Sequence, residues 1–501
     1  MFGDHRKLFL LPMALLVLGA LGACTDETII YEEIIVTEPF PLYEEPLEAA
    51  LGFVGYSDSE SKLVVCGNCH VEKQGGWENT GHADAWQGLQ DSGGAQGFCE
   101  GCHTVGQMGN VIDDIAGHEA TGEEKYYDVQ CEACHGPGLE HVQNPKEATV
   151  PLAPLNVGAD ATATGGCGEC HSDPTGGGHH PFVDEWAQSR HGDASTHKDY
   201  RERSGCDGCH GGEGALRAWG VNTEYLEKGQ GDQIGITCAV CHDPHSDENA
   251  HQLRWPVDNR DVDQNLCMKC HQRRAVPDPG SSRGPHSPQG PLLLGQDVGW
   301  IPPNFAFDTI FADGGAIRGT HGSEANQELC ATCHLNSYEV TDPATGEFVF
   351  SATGHLFKPT PCVDAQGVPT GDDSCAMTIE ARSFESCTTA GCHGDETAAL
   401  TAMVTAQTRI ANLVAELDAL LALVPDTEFD TSDGFITVAE GANFNAGLGD
   451  IESSAVHNPF LTEALLTSSI DAVQDTYGPF PLLNPNLRLD NVLFKESAGG
   501  Y

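Results

Sequence analysis

The sequence predicts a mostly α and irregular fold, with little regular secondary structure before a C-terminal helical hairpin. Glycine is abundant, at 59 of 501 residues, and hydrophobic residues make up only 39%, which suits a loop-rich chain better than one built on a large aliphatic core. Twenty-one cysteines and 23 histidines point to some other filling for the centre. The net charge of −50, from 24 Lys+Arg against 74 Asp+Glu, excludes a nucleic-acid binder, because such affinity comes from cations that displace counterions.

Residues 1–23 read as an export signal. His5, Arg6 and Lys7 precede an apolar run from Leu8 to Ala23, short of the roughly 20 residues that a bilayer span needs. Leu21-Gly22-Ala23-Cys24 resembles the lipobox of bacterial lipoproteins, so Cys24 is expected to carry the lipid anchor. Thr25 in place of Asp resembles the outer-membrane sorting signal, which places the exported chain on the periplasmic or cell-surface face of that membrane. Residues 24–61, acidic and broken by Pro39, Pro41 and Pro46, read as a tether; a short edge strand over Ile34, Ile35 and Val36 is the alternative.

Residues 62–394 repeat one pattern. Cys66-x-x-Cys69-His70, Cys99-x-x-Cys102-His103, Cys131-x-x-Cys134-His135 and Cys167-x-x-Cys170-His171 are motifs 1 to 4. Cys206-x-x-Cys209-His210, Cys238-x-x-Cys241-His242, Cys267-x-x-Cys270-His271 and Cys330-x-x-Cys333-His334 are motifs 5 to 8. This is the attachment signal of haem c: two thiols join the porphyrin edge, and the adjacent histidine is carried under the ring to the iron. Zinc sites need no histidine after every second cysteine, and disulfide frameworks do not repeat a two-residue gap eight times. Cys387-x4-Cys392-His393 is a ninth, longer-gapped copy, giving nine haems, or eight if that site is empty. Cys362 and Cys375 remain and are expected to pair as a disulfide.

An iron with two strong axial ligands passes electrons, whereas an open one binds substrate. Outside the motifs and the leader stand 13 histidines. His82 in Trp77-x4-His82 and His191 in Trp186-x4-His191 precede similar motif spacings, so motifs 1–3 (about 62–150) and 4–6 (about 160–260) read as a duplicated module. His141 and His245 follow the third motif of each and are equivalent candidates. His118, His286, His321, His355 and His457 complete nine sixth ligands, with His179, His180, His197 and His251 in reserve.

Val129-Gln-Cys-Glu-Ala-Cys-His-Gly-Pro-Gly, Ser189-Arg-His, Ile236-Thr-Cys-Ala-Val-Cys-His-Asp-Pro-His and Pro285-His-Ser-Pro-Gln-Gly resemble multihaem c-type cytochromes related to hydroxylamine oxidoreductase and cytochrome c nitrite reductase, including their electron-carrying relatives. The resemblance spans about 62–480 and implies a multihaem cytochrome c fold, a wire of stacked and T-shaped haem pairs. Every motif here ends in His, without the Lys common in the nitrite reductases, which weakens the reductase reading.

Residues 395–501 change to Ala/Leu-rich sequence. Met403, Ala406, Ile410, Leu413, Leu417, Leu420 and Val424 form one apolar seam, with Asp395 as cap and Pro425 as stop. A second helix starts at Asn458-Pro459 and runs through Leu461, Leu465, Ile470 and Val473. The two are expected to pack on each other, with a dimer interface as the alternative. The expected function is electron relay between redox partner proteins through bis-histidine haems, more an electron-transfer protein than an enzyme. A reductase of a small nitrogen or sulfur oxyanion, with one five-coordinate haem, and a subunit of an extracellular haem filament are the alternatives.

Overall fold

The computed structural model describes residues 44–483, apart from 159–164, 174–180, 194–197, 222–223, 231–233, 304, 306–318 and 390–391. The leader, Cys24, the strand alternative at 34–36 and the reserve histidines His179, His180 and His197 lie outside the described residues.

Ahead of residue 395 the chain is a series of short helices such as Val71–Trp77, Cys131–His135, Phe182–Gln188 and Gly212–Ala218, joined by turns. The described strands form three two-stranded antiparallel hairpins: Tyr56–Asp58 with Leu63–Val64, Tyr338–Thr341 with Phe348–Ala352, and Cys362–Val363 with Pro369–Thr370. The third is closed by a disulfide between Cys362 and Cys375, with Cα atoms 6.0 Å apart. Each attachment motif forms about one helical turn and then stops, which is why regular structure stays short.

The folded body begins earlier than the tether boundary expected at residue 61. Ala50 and Phe53 are fully buried with Val105, Ala116 and Tyr126, and Tyr126 Oη donates to Phe53 O at 2.8 Å. Phe53, Val54 and Tyr56 supply the apolar surface that the acidic composition of the segment obscured.

The described C-terminal region has three long packed helices and the short Ser454–His457, where a hairpin of two was expected. Glu396–Leu421 is capped by Asp395, whose side chain accepts from Ala398 N, and Pro459–Tyr477 by Asn458, which accepts from Leu461 N. Their seams meet over Ile410, Leu413, Leu417, Leu420, Leu466, Ile470 and Val473. The third helix, Val438–Gly449, carries a Thr437/Glu440 capping box. Its Gly441 and Gly449 let Trp300, Val414 and Leu466 approach the backbone where a Cβ would collide. Arg409 and Glu463 cross between helices as a buried ion pair, 2.6 Å apart.

Candidate haem-binding core

Each regular motif brings its histidine amide back onto the first cysteine, as in His70 N to Cys66 O at 2.9 Å, His171 N to Cys167 O at 2.9 Å and His271 N to Cys267 O at 3.1 Å. The ninth motif makes the same bond, His393 N to Cys387 O at 3.3 Å, in spite of its two extra residues. The ends of the ninth motif are therefore in the same register as those of the regular motifs.

Seven motif histidines face a histidine from elsewhere in the chain. Ring centres are 6.5 Å apart for His70–His141, 6.1 Å for His82–His171, 6.1 Å for His135–His245 and 6.3 Å for His191–His271. They are 6.1 Å apart for His210–His286, 6.2 Å for His321–His393 and 6.3 Å for His334–His457. Rings stacked face to face sit closer, as Trp86 and Tyr127 do at 4.1 Å. Two metal–imidazole bonds of about 2 Å each, with half a ring on either side, need centres roughly 6 Å apart. The spacing thus fits one iron between each pair, and haem held there would supply reversible one-electron chemistry.

The protein orients these ligands through their second nitrogen. His135 Nδ1 is 2.9 Å from Pro151 O, His321 Nδ1 2.7 Å from Val456 O and His334 Nδ1 2.8 Å from Phe357 O. Burial also holds His82, His135, His271 and His334 below the ordinary imidazole value, His191 at about 4 and His457 at about 3. Neutral imidazole is the form that binds iron.

Two expected sixth ligands are placed differently. His118 is buried behind motif 2, with Nε2 3.6 Å from Glu100 Oε2 and Nδ1 3.2 Å from Glu123 O, and packs on Trp86 and Tyr127. Both its nitrogens are turned to the peptide side of that motif rather than to His103, whose Nδ1 is 2.8 Å from Ala85 O. His355 lies between Phe182 and Phe357 with Nδ1 held by Thr353, and the nearby charges of His242 and His251 oppose its protonation after burial itself. His242 Nδ1 is 2.8 Å from His251 O, which gives His251 a backbone role. His141 and His245 are not equivalent: the first faces its own module's motif 1, the second reaches back to motif 3.

The two stretches expected to form a duplicated module each hold one indole in the same way. Trp77 Nε1 donates to Val129 O at 2.9 Å and Trp186 Nε1 to Ile236 O at 3.0 Å, each acceptor two residues before the first cysteine of a third motif. His82 then reaches forward to motif 4 and His191 to motif 7.

The motif thiols lie near one another. Cys66 hydrogen-bonds Cys131, Cys102 bonds Cys170, and Cys167 bonds Cys238. Cys209 bonds Cys270, and Cys267 bonds Cys330. Electrostatic proximity adds Cys134 to Cys167, Cys241 to Cys267, and Cys333 to both Cys387 and Cys392. In motif order, the links 1–3, 2–4 and 3–4 recur as 4–6, 5–7 and 6–7, after which 7–8 and 8–9 complete the chain. The trunk is 1–3–4–6–7–8–9, with motif 2 a branch on 4 and motif 5 a branch on 7. A single cavity of about 2990 Å³, lined by cysteines and histidines of motifs 3 to 9, runs along this path.

The family described as "Doubled CXXCH motif" matches residues 231–276, and "Cytochrome c554 and c-prime" matches residues 65–136. A relative, "Multiheme cytochrome MtrA" from Shewanella baltica (strain OS185), is 27% identical over 191 residues, 36% of this chain and 53% of that protein. The chain is a multihaem c-type cytochrome. It spans about half the length of that curated relative, and no solved structure matches. No helix among the cytochrome's described residues is long and apolar enough to cross a membrane.

Buried carboxylates that no motif announces also shape the core. Glu132, inside motif 3, accepts from Val54 N, Gly55 N and Gly138 N at 2.7–3.0 Å. Glu185, beside Trp186, accepts from Thr353 N, Thr353 Oγ1 and His355 N. The sequence signal for both is an acid within an otherwise apolar or motif-bound turn.

Proposed function

We propose that this cytochrome is a nine-haem electron relay, exported, anchored to the outer membrane through a lipid on Cys24, and passing electrons between redox partner proteins through bis-histidine haems. One observation carries the reading: side-chain hydrogen bonding and electrostatic proximity between motif thiols link all nine motifs into one connected path. Each thiol would become a thioether on a porphyrin edge, so neighbouring thiols would bring porphyrin edges within electron-tunnelling reach. The seven facing histidine pairs support low-spin irons that carry electrons without binding substrate.

Pyridine haemochrome and intact mass should give nine haems, falling to eight in Cys387→Ser/Cys392→Ser; eight in the parent protein would remove motif 9. Palmitate labelling that survives Cys24→Ser would refute the anchor. The reductase alternative has one observation in its favour, the turning of His118 away from His103. Electron paramagnetic resonance separates the two readings: a high-spin ferric signal that shifts with nitrite or hydroxylamine supports the reductase, and low-spin signals alone support the relay.

A further inference from the structure

Motif 5 is a branch off the trunk, and three arginines gather near it. Arg273, Arg274 and Arg283 line the same cavity as Cys206, Cys209 and His286, and Asp207 within the motif is ion-paired with Arg217. Arg273 acts electrostatically on the Cys209 thiol, and Arg274 interacts with Cys206. The guanidiniums also crowd one another: partial burial, followed by repulsion from Arg283 and Arg273, holds Arg274 below its ordinary value. Arg273 and Arg283 are exposed. Among the described residues no carboxylate lies within ion-pair distance of Arg273, Arg274 or Arg283, in a chain with 74 acidic and 24 basic residues. With acids outnumbering bases three to one, three crowded and uncompensated arginines at one haem site cost repulsion and serve some anion.

The two propionates of a haem at motif 5 would leave one of these three charges over, before the exposed Arg203 is counted. We propose that motif 5 is a side port where a small polyvalent anionic electron acceptor binds the Arg273/Arg274/Arg283 rim and takes one electron. This rests on the relay reading. A ferrous site becomes ferric, the acceptor is reduced by one electron, and no proton moves and no covalent bond forms or breaks. Arginine forks suit such anions. An anionic protein fits less well, because a docked face of about 800 Å² would also cover the acidic surface around so small a rim. Screening over about 8 Å at physiological salt lets a small anion sense the rim alone.

The test uses the full haem-loaded protein and its Arg273→Gln/Arg283→Gln variant, both exposed positions. Calorimetry with redox-inert hexacyanocobaltate(III) should show one saturable site, weakened about tenfold or more in the variant. Reoxidation of the reduced protein by ferricyanide should slow correspondingly, while reoxidation by the cation hexaammineruthenium(III) should not. Equal anion binding by both proteins overturns the proposal. So does a variant that slows both oxidants alike with a shifted haem potential, which reduces the rim to a counter-charge for propionates. If neither oxidant takes electrons from the reduced parent, the relay reading fails instead, and the calorimetry still decides whether the rim binds anions.

Discussion

Glu185→Ala would remove the acceptor that ties the helix leading to His191 to the loop carrying His355. Glu185 is 2% exposed; its Oε1 accepts from Thr353 N at 2.8 Å, and its Oε2 from Thr353 Oγ1 at 2.8 Å and His355 N at 2.6 Å. A buried donor left without a partner costs about 1–3 kcal/mol. Three of them set an expected loss of about 3 kcal/mol at the low end, and the released loop should free His355 to move. Glu185→Gln is the finer test. Its amide can donate to the Thr353 hydroxyl oxygen but cannot accept from His355 N, so only one bond is lost, about 1–3 kcal/mol. Burial raises the Glu185 carboxyl above its usual value despite these donors. An acid with a raised folded value stabilises fully below its unfolded value of 4.5, and that contribution is lost as pH rises through the folded value. Urea unfolding followed in the Soret band across pH 4–8 should therefore show this decline in the parent and a flatter profile in Glu185→Gln. Unchanged stability in Glu185→Ala would refute the reasoning.

Cys375→Ser opens the loop closed by the bond to Cys362, 13 positions away, and should cost about 3 kcal/mol in reversible unfolding; no change would mean that the bond is absent in solution. Arg409→Met strands the Glu463 carboxylate, whose side chain is 1% exposed, and should cost about 3–5 kcal/mol, whereas Arg409→Met/Glu463→Leu should recover much of it in the same assay. Gly441→Ala drives a methyl into Trp300 and should lower stability by about 1–3 kcal/mol while leaving the haem spectrum intact. Acid titration should preserve low-spin spectra well below pH 6.5. His191, at about 4, and His457, at about 3, have depressed folded values, so the folded imidazoles stay neutral well below 6.5, while their stabilisation is present above the unfolded value of 6.5 and is lost progressively as pH falls through the folded one. Loss of low-spin absorbance at pH 6 would contradict that burial.

The chemistry of the core was legible because covalent attachment imposes a fixed local grammar: two thiols and a histidine must lie on one turn, so the motif appears in sequence without help from the fold. The ninth motif could be read through its insertion for the same reason, since only the ends must stay in register, as the His393 N to Cys387 O bond shows. Sixth ligands obey no such rule. His82 reaches a motif histidine 89 positions away and His457 one 123 positions away, so which histidine meets which iron depends on packing. His118 illustrates this: a buried histidine close to a motif in sequence has its nitrogens near Glu100 and Glu123. Val438–Gly449 escaped notice because its helix works through glycines that admit neighbours rather than through an apolar stripe.

The duplication links these levels. A repeat read from Trp-x4-His spacing becomes the same indole hydrogen bond twice and the same three thiol links twice. On the relay reading proposed above, electron order would differ from chain order, running from the first motif of each stretch to its third and then onward, with the second motif as a branch. A duplicated unit wired in this way extends a conductor at its end without rewiring its middle. The departure after motif 7, where motifs 8 and 9 follow in simple succession, coincides with the segment in which the C-terminal region supplies the ligands: His457 directly to motif 8, and Val456 O as the anchor of His321 at motif 9. The C-terminal region thus takes part in the last two histidine pairs: His457 faces His334 itself, and Val456 O fixes the His321 ring that faces His393.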